Sequence, residues 1–80
     1  MNIKVIGMGC EKFDTLYANT LKALSALGME AELEKVEDLV EIVRLGVLSA
    51  PSLMIDGKVV STGVVLDVNG VSKLLQKAAK

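Results

Sequence analysis

The sequence predicts an α/β protein in which a four-stranded mixed sheet carries helices on both faces. A short β-branched run, a long amphipathic segment and a second strand-like run follow one another in residues 3–36, the pattern of a right-handed parallel crossover. A strand pair around Asp56-Gly57 and a final amphipathic segment come after a shorter helix, so the predicted order is β-α-β-α-β-β-α. A chain of 80 residues has no room for a second domain, and we expect one domain, 1–80.

The first two predicted elements are a buried strand and an amphipathic helix. Residues 3–6 (IKVI) are short and mostly β-branched, and Gly7 follows them, as is typical of a central strand. From Phe13 onward the apolar residues recur at helical spacing, and Gly28 ends the segment. The side chains predicted to face the core are Phe13, Leu16, Tyr17, Thr20, Leu21, Leu24 and Leu27.

The middle of the chain predicts an edge strand and a short helix. Apolar residues alternate with glutamates in residues 29–34, which indicates a strand with one solvated face. The glutamates discourage pairing with further strands, so we place this strand at the sheet edge. A helix is predicted from about Asp38 to Gly46. Its predicted inward residues are Leu39, Ile42 and Val43.

The last third predicts a β-hairpin and a capped helix. Two apolar runs flank Asp56-Gly57, the strongest short turn signal in the chain. Asp67 precedes the final amphipathic segment and has the side chain of a helix cap. The predicted core residues of this helix are Val71, Leu74, Leu75 and Ala78.

Composition excludes several classes of function. The formal net charge of −1 gives no electrostatic reason to expect nucleic-acid binding. One cysteine and no histidine cannot complete a soft-ligand metal site within one chain, and we expect no metal and no cofactor. We find neither a secretory signal nor the roughly 18 apolar residues of a membrane span, so we expect a cytoplasmic protein with a reduced thiol and no membrane partner.

The single cysteine, Cys10, follows the first predicted strand and precedes the first helix. Backbone N–H groups and the positive dipole end of a helix stabilise a thiolate, and Gly7 and Gly9 leave room for approach. A reactive Cys10 is therefore expected to be partly accessible, with a thiol pKa below the ~8.5 of a free cysteine. Small buried cysteines are common and inert, so position alone leaves the reactive and structural interpretations both open.

Several motifs together resemble the small thioredoxin-like proteins of archaea and bacteria, which are the size of glutaredoxins. They are a strand, Gly-x-Gly-Cys, an amphipathic helix, and Ala-Pro-Ser before a Met-Ile-Asp-Gly hairpin, and they span residues 3–75. The resemblance implies that the Ala50–Pro51 bond is cis and that Pro51 lies against Cys10, with the Ala50 backbone offered to an extended substrate. The residues implied to bind substrate are Ala50, Pro51, Gly63 and Val64. Without the resemblance, Pro51 is simply a proline that begins a strand.

The chain departs from this family at Phe13. The family motif is Cys-x-x-Cys, and here the sequence is Cys-Glu-Lys-Phe. A dithiol enzyme needs its second cysteine to resolve the mixed disulfide, which Phe13 cannot do. Either Cys10 acts as a monothiol oxidoreductase on a protein disulfide or thiol and is released by an external low-molecular-weight thiol, or the domain is a catalytically silent interaction module. Phe13 is interpreted either as the first core residue of the helix or as part of a docking patch with Met8 and Val64.

A third interpretation is a copper-chaperone-like metal carrier. The stretch GMGCEKF has a superficial likeness to GMxCxxC, the opening of heavy-metal-associated domains, through Met8 and Cys10. The second cysteine is missing, and Cu(I) is usually held by two thiolates. The predicted strand–turn–strand–helix order also differs from those domains, which place a helix before their last strand.

Overall fold

The computed structural model describes residues 1–8, 11–47 and 49–78. The order of its elements is the predicted β-α-β-α-β-β-α. The elements are β1 (Asn2–Ile6), α1 (Glu11–Leu27), β2 (Glu32–Val36), α2 (Leu39–Arg44), β3 (Ser52–Ile55), β4 (Lys58–Thr62) and α3 (Val68–Ala78).

The four strands form one mixed sheet in the order β2-β1-β3-β4. β1 runs parallel to β2 and antiparallel to β3, and β3 and β4 form an antiparallel hairpin. The predictions that the first strand is central and that the glutamate-rich strand lies at the edge are confirmed.

Helices cover both faces of the sheet, as predicted, and each face has its own core. Neighbouring strand residues point to opposite faces, so Val5 and Leu53 face one way while Ile6 and Met54 face the other. The larger core joins the sheet to α1 and α3 through Ile3, Val5, Phe13, Leu16, Ala23, Leu24, Leu53, Ile55, Val71 and Leu75. The smaller core lies under α2 and consists of Ile6, Val36, Ile42, Val47 and Met54.

The hairpin turn and the cap of α3 form at the predicted residues. Asp56 and Gly57 have φ values of 49° and 84°, the left-handed conformation that a two-residue turn of this kind requires. The Asp56 N–H donates to the Asn2 carbonyl at 2.8 Å, which ties the turn to the start of β1. Asp67 accepts the Gly70 N–H at 2.7 Å and caps α3, and Asp38 accepts the Val40 N–H at 3.1 Å and caps α2.

Some predicted core positions are wrong. Leu21 is 47% exposed, and Ala23 is buried. At 100° per residue, Leu21 lies about 100° from the centre of the α1 stripe and Ala23 only about 60° from it. In α2, Leu39 and Val43 are 61% and 68% exposed, because a helix of six residues packs little more than Ile42 against the sheet. Ala78, at the end of α3, is exposed.

Candidate functional site at one end of the sheet

The strand pairing brings several predicted site residues to one end of the sheet. Val36, Ile6, Ser52 and Thr62 stand side by side across β2, β1, β3 and β4. We call this the site end. Because β3 runs antiparallel to β1, the residue before β3 and the residues after β1 and β4 emerge together there. In open α/β sheets, ligands bind beyond the carboxyl ends of the parallel strands, and the site end is that end for β1 and β2.

Cys10 itself lies outside the described residues, as does Gly9. The predictions that its thiol is accessible and touches Pro51 therefore stay predictions. On the described side of the connection, the Gly7 N–H donates to the Val36 carbonyl at 3.0 Å, and Met8 is 59% exposed. In the sequence, Cys10 falls between Ile6, the last residue of β1, and Glu11, the first residue of α1, and so belongs to the link between these two elements.

Pro51 and Gly63 meet at the site end. The Ala50–Pro51 peptide bond is cis, and Pro51 is buried. The Gly63 N–H donates to the Pro51 carbonyl at 2.9 Å, which joins the residue before β3 to the residue after β4. Gly63 has φ 72°, a conformation that favours glycine.

The flanking residues leave surface available beside this pair. Val64 is 52% exposed, and Ala50 is exposed as well. The Ser52 hydroxyl, fully buried, donates to the Ser49 carbonyl and holds the turn before β3. Ala50 and Val64 therefore present exposed surface next to the hydrogen-bonded pair of Pro51 and Gly63.

Phe13 is a core residue and not part of a docking patch. Its side chain has no exposed surface and belongs to the larger core. A Cβ atom added to Gly7 would lie 2.5 Å from Phe13 Cδ1, so the ring packs directly against the backbone at the end of β1. The interpretation of Phe13 as the first core residue of the helix is confirmed. The prediction that Phe13 forms a docking patch with Met8 and Val64 is wrong for Phe13, because a buried ring cannot contact a partner.

Comparison with known proteins identifies the family. A family model described as a thioredoxin domain matches residues 1–76. The chain belongs to the thioredoxin domain family. It is 32% identical over 75 residues to a thioredoxin of Methanothermobacter thermautotrophicus, covering 94% of this chain and 97% of that protein. It is 34% identical over 74 residues to a thioredoxin of Methanocaldococcus jannaschii, covering 92% of this chain and 85% of that protein.

Sequence reasoning missed one contact near the start of the first helix of this thioredoxin domain. The Lys35 ammonium lies 4.5 Å from the centre of the Tyr17 ring and 5.9 Å from that of Phe13, within the range of a cation–π interaction. Residues 30–41 contain six carboxylates and a single basic residue, Lys35. This isolated positive charge is the sequence signal that could have identified Lys35. Its charge stands beside the first turns of α1.

A hydrogen bond from α1 also holds the segment after Gly63 in this thioredoxin domain. The Asn19 side-chain amide donates to the Leu66 carbonyl at 2.8 Å in a partly buried contact between α1 and the β4–α3 connection. This contact is non-local, and nothing in the spacing of Asn19 within α1 predicted it. It anchors the backbone at Leu66, two residues after Val64.

Within the described ranges, no helix is long and apolar enough to cross a membrane. Among the same residues, no group of three or more histidine, cysteine, aspartate or glutamate side chains is arranged to hold a metal ion.

Proposed function

We propose that this thioredoxin-family protein carries out thiol–disulfide exchange through Cys10 as its single nucleophile, with an external thiol as the resolving group. The observation that carries the proposal is the convergence at the site end. The β1–α1 link that contains Cys10 begins there, and the Pro51 carbonyl and Gly63 N–H are hydrogen-bonded there at 2.9 Å. Family membership supports the same reaction class.

The chemistry requires three exchanges, because the chain has one cysteine. The Cys10 thiolate attacks one sulfur of a partner's disulfide, and the partner's other sulfur leaves as a thiolate. An external thiolate then attacks the Cys10 sulfur, which releases the partner as a dithiol and leaves Cys10 bonded to the external thiol. A second external thiolate frees Cys10 and forms the oxidised external disulfide. One partner disulfide is reduced and two external thiols are oxidised, with no other cofactor.

The partner is a protein disulfide or thiol that binds in an extended conformation beside Pro51. The exposed surfaces of Ala50 and Val64 and the fixed backbone of Gly63 support this placement. The Gly63 N–H already donates to Pro51, so the backbone of Ala50 is the group we assign to hydrogen-bond the partner. A reducing cytoplasm would keep Cys10 free and supply the external thiol.

A second candidate function is a catalytically silent thioredoxin-fold module that binds proteins at the same surface. The burial of Phe13 favours it, since the position at which the family carries a resolving cysteine serves here as core. This candidate keeps the Ala50–Val64 surface and predicts a dispensable thiol.

Alkylation of the folded protein as a function of pH separates the two candidates. Cys10 is the only cysteine, so the label reports on that thiol alone. For the redox function we expect the rate to rise with a midpoint below about 8.5, the value of a free cysteine, because the start of α1 favours the thiolate. A thiol that reacts only after the protein is unfolded in denaturant would overturn the redox function and leave the silent module.

A further inference from the structure

Charge is unevenly distributed along the chain. Residues 30–41 hold six carboxylates and one lysine, a net charge of −5, while the whole chain has −1. The remaining residues therefore have a net charge of +4. The acidic part comprises β2 and the beginning of α2, and the basic part includes β4 and α3.

An exposed apolar surface on α2 adjoins the acidic part. Leu39, Val40 and Val43 are 61%, 59% and 68% exposed. At 100° per residue they fall within an arc of about 100° on one side of the helix, while Ile42 points into the smaller core. We call these three residues the α2 ridge. Contiguous exposed apolar residues of this kind mark interaction sites.

The basic part has a groove of matching chemistry between β4 and α3. It encloses about 590 Å³ and is lined by Ile55, Asp56, Lys58, Val60, Leu74, Lys77 and Ala78. Val60 and Leu74 are half-buried and give the groove an apolar floor, and Lys58 and Lys77 are exposed at its rim. The Asp56 carboxylate accepts the Asn2 N–H of β1 at 2.8 Å, and the two lysines outnumber this single carboxylate, so the groove has a net positive charge. We call this surface the basic groove.

We propose that the α2 ridge of one molecule docks into the basic groove of a second copy of this chain. The aliphatic side chains of the ridge meet the floor formed by Val60 and Leu74. The exposed carboxylate of Glu37, just before α2, meets Lys77 at the rim. Two surfaces of one chain are thus complementary both in charge and in apolar character.

The geometry makes this contact head-to-tail. The ridge stands on the face of the sheet with the smaller core, whereas Val60 and Leu74 pack against the larger core on the opposite face. One molecule cannot fill its own groove, and each docked copy presents a further ridge or groove. Ile55 and Lys58 flank the hairpin turn, so the groove lies at the other end of the hairpin from Gly63.

Self-association is expected to be weak and sensitive to salt. Three ridge residues are few compared with the roughly 20–30 residues per side of a stable interface, so we expect a Kd on the order of 0.1–1 mM. Opposite exposed charges that lie within a Debye length of each other strengthen the association. Raising the salt to about 0.5 M screens them and should weaken it.

Sedimentation equilibrium from about 0.05 to 2 mM protein, spanning the expected Kd, tests the proposal. A thiol reductant is present throughout, so no Cys10 disulfide contributes, and Cys10→Ser should associate like the wild type. Val43→Ser should weaken association at least about fivefold, because it removes a central apolar contact. Leu21→Ser is the matched control, since Leu21 is an exposed leucine on α1, and it should leave the Kd unchanged.

Charge variants test which surfaces meet. Glu37→Lys and Lys77→Glu should each weaken association about threefold, and the double variant should recover because the charge pair is exchanged. Lys22→Glu, an exposed lysine on α1, is the control. The proposal would be overturned by a monomeric mass throughout the concentration range or by variants that behave like their controls. It would also be overturned by a double variant that associates no more tightly than the single ones. None of these results depends on thiol chemistry.

Discussion

Replacing Gly7 with alanine tests how tightly Phe13 closes the core beneath the β1–α1 link. The new Cβ atom would lie 2.5 Å from Phe13 Cδ1, 3.0 Å from Cγ and 3.1 Å from Cβ. Carbon atoms pack best at about 3.5–4.0 Å, so the first of these contacts is too short by about 1 Å. The Gly7 N–H is bonded to the Val36 carbonyl at 3.0 Å, and Phe13 has no exposed surface. Neither side of the contact is free to move away.

We expect Gly7→Ala to lower the free energy of unfolding by about 1–3 kcal/mol, the cost of forcing an extra methyl group into a packed core. Phe13→Leu is the matched background, because it keeps an apolar side chain and removes the ring that the methyl group meets. In that background the loss of unfolding free energy caused by Gly7→Ala should be smaller by at least about 1 kcal/mol, a coupling typical of residues in contact.

Urea unfolding followed by circular dichroism measures all four proteins of this double-mutant cycle. The two substitutions should be non-additive, with the double variant more stable than the sum of the single effects predicts. Equal costs of Gly7→Ala in the two backgrounds, or a cost below about 0.5 kcal/mol with Phe13 present, would refute the packing of Phe13 on Gly7.

Two further predictions concern the resolving position and the last helix. Phe13→Cys should lower the free energy of unfolding by about 2–4 kcal/mol, because a fully buried ring is lost. The variant should also form an intramolecular disulfide between its two cysteines, which mass spectrometry and free-thiol titration in a redox buffer would detect. A folded variant that never forms that disulfide would contradict the assignment of Phe13 to the resolving position. Asp67→Ala should lower the free energy of unfolding by about 1 kcal/mol, because it removes the side chain that accepts the Gly70 N–H at 2.7 Å. Asp67→Asn should retain most of the stability. Thermal unfolding measures both, and an alanine variant as stable as the wild type would show that the cap does not stabilise α3.

Local signals in the sequence were enough to predict most of the fold. The β-branched run of β1, the Asp56-Gly57 turn and the Asp67 cap each depend on neighbouring residues, and each forms as expected. The exposure of Leu39 and Val43 depends on how little of the sheet a short helix covers, which periodicity does not reveal.

The site was harder to predict because its contacts join distant residues. The hydrogen bond from Gly63 to Pro51 spans the hairpin, and the contact of Lys35 with Tyr17 joins β2 to α1. Phe13 was ambiguous for another reason. A position three residues after Cys10 is both the family's second-cysteine position and a place on the core stripe of the helix, and only the packing against Gly7 distinguishes the core role.

The most direct test of the proposed function is turnover with one cysteine and an external thiol. The substrate is a peptide carrying a mixed disulfide with glutathione, and glutathione is the external thiol. We expect the wild-type protein to accelerate release of the peptide thiol, and mass spectrometry at limiting glutathione to detect Cys10 bonded to glutathione. Cys10→Ser should abolish the acceleration, while Lys22→Glu, remote from the site end, should retain it. A wild-type rate no faster than that of Cys10→Ser, with no Cys10 mixed disulfide detected, would contradict single-thiol exchange.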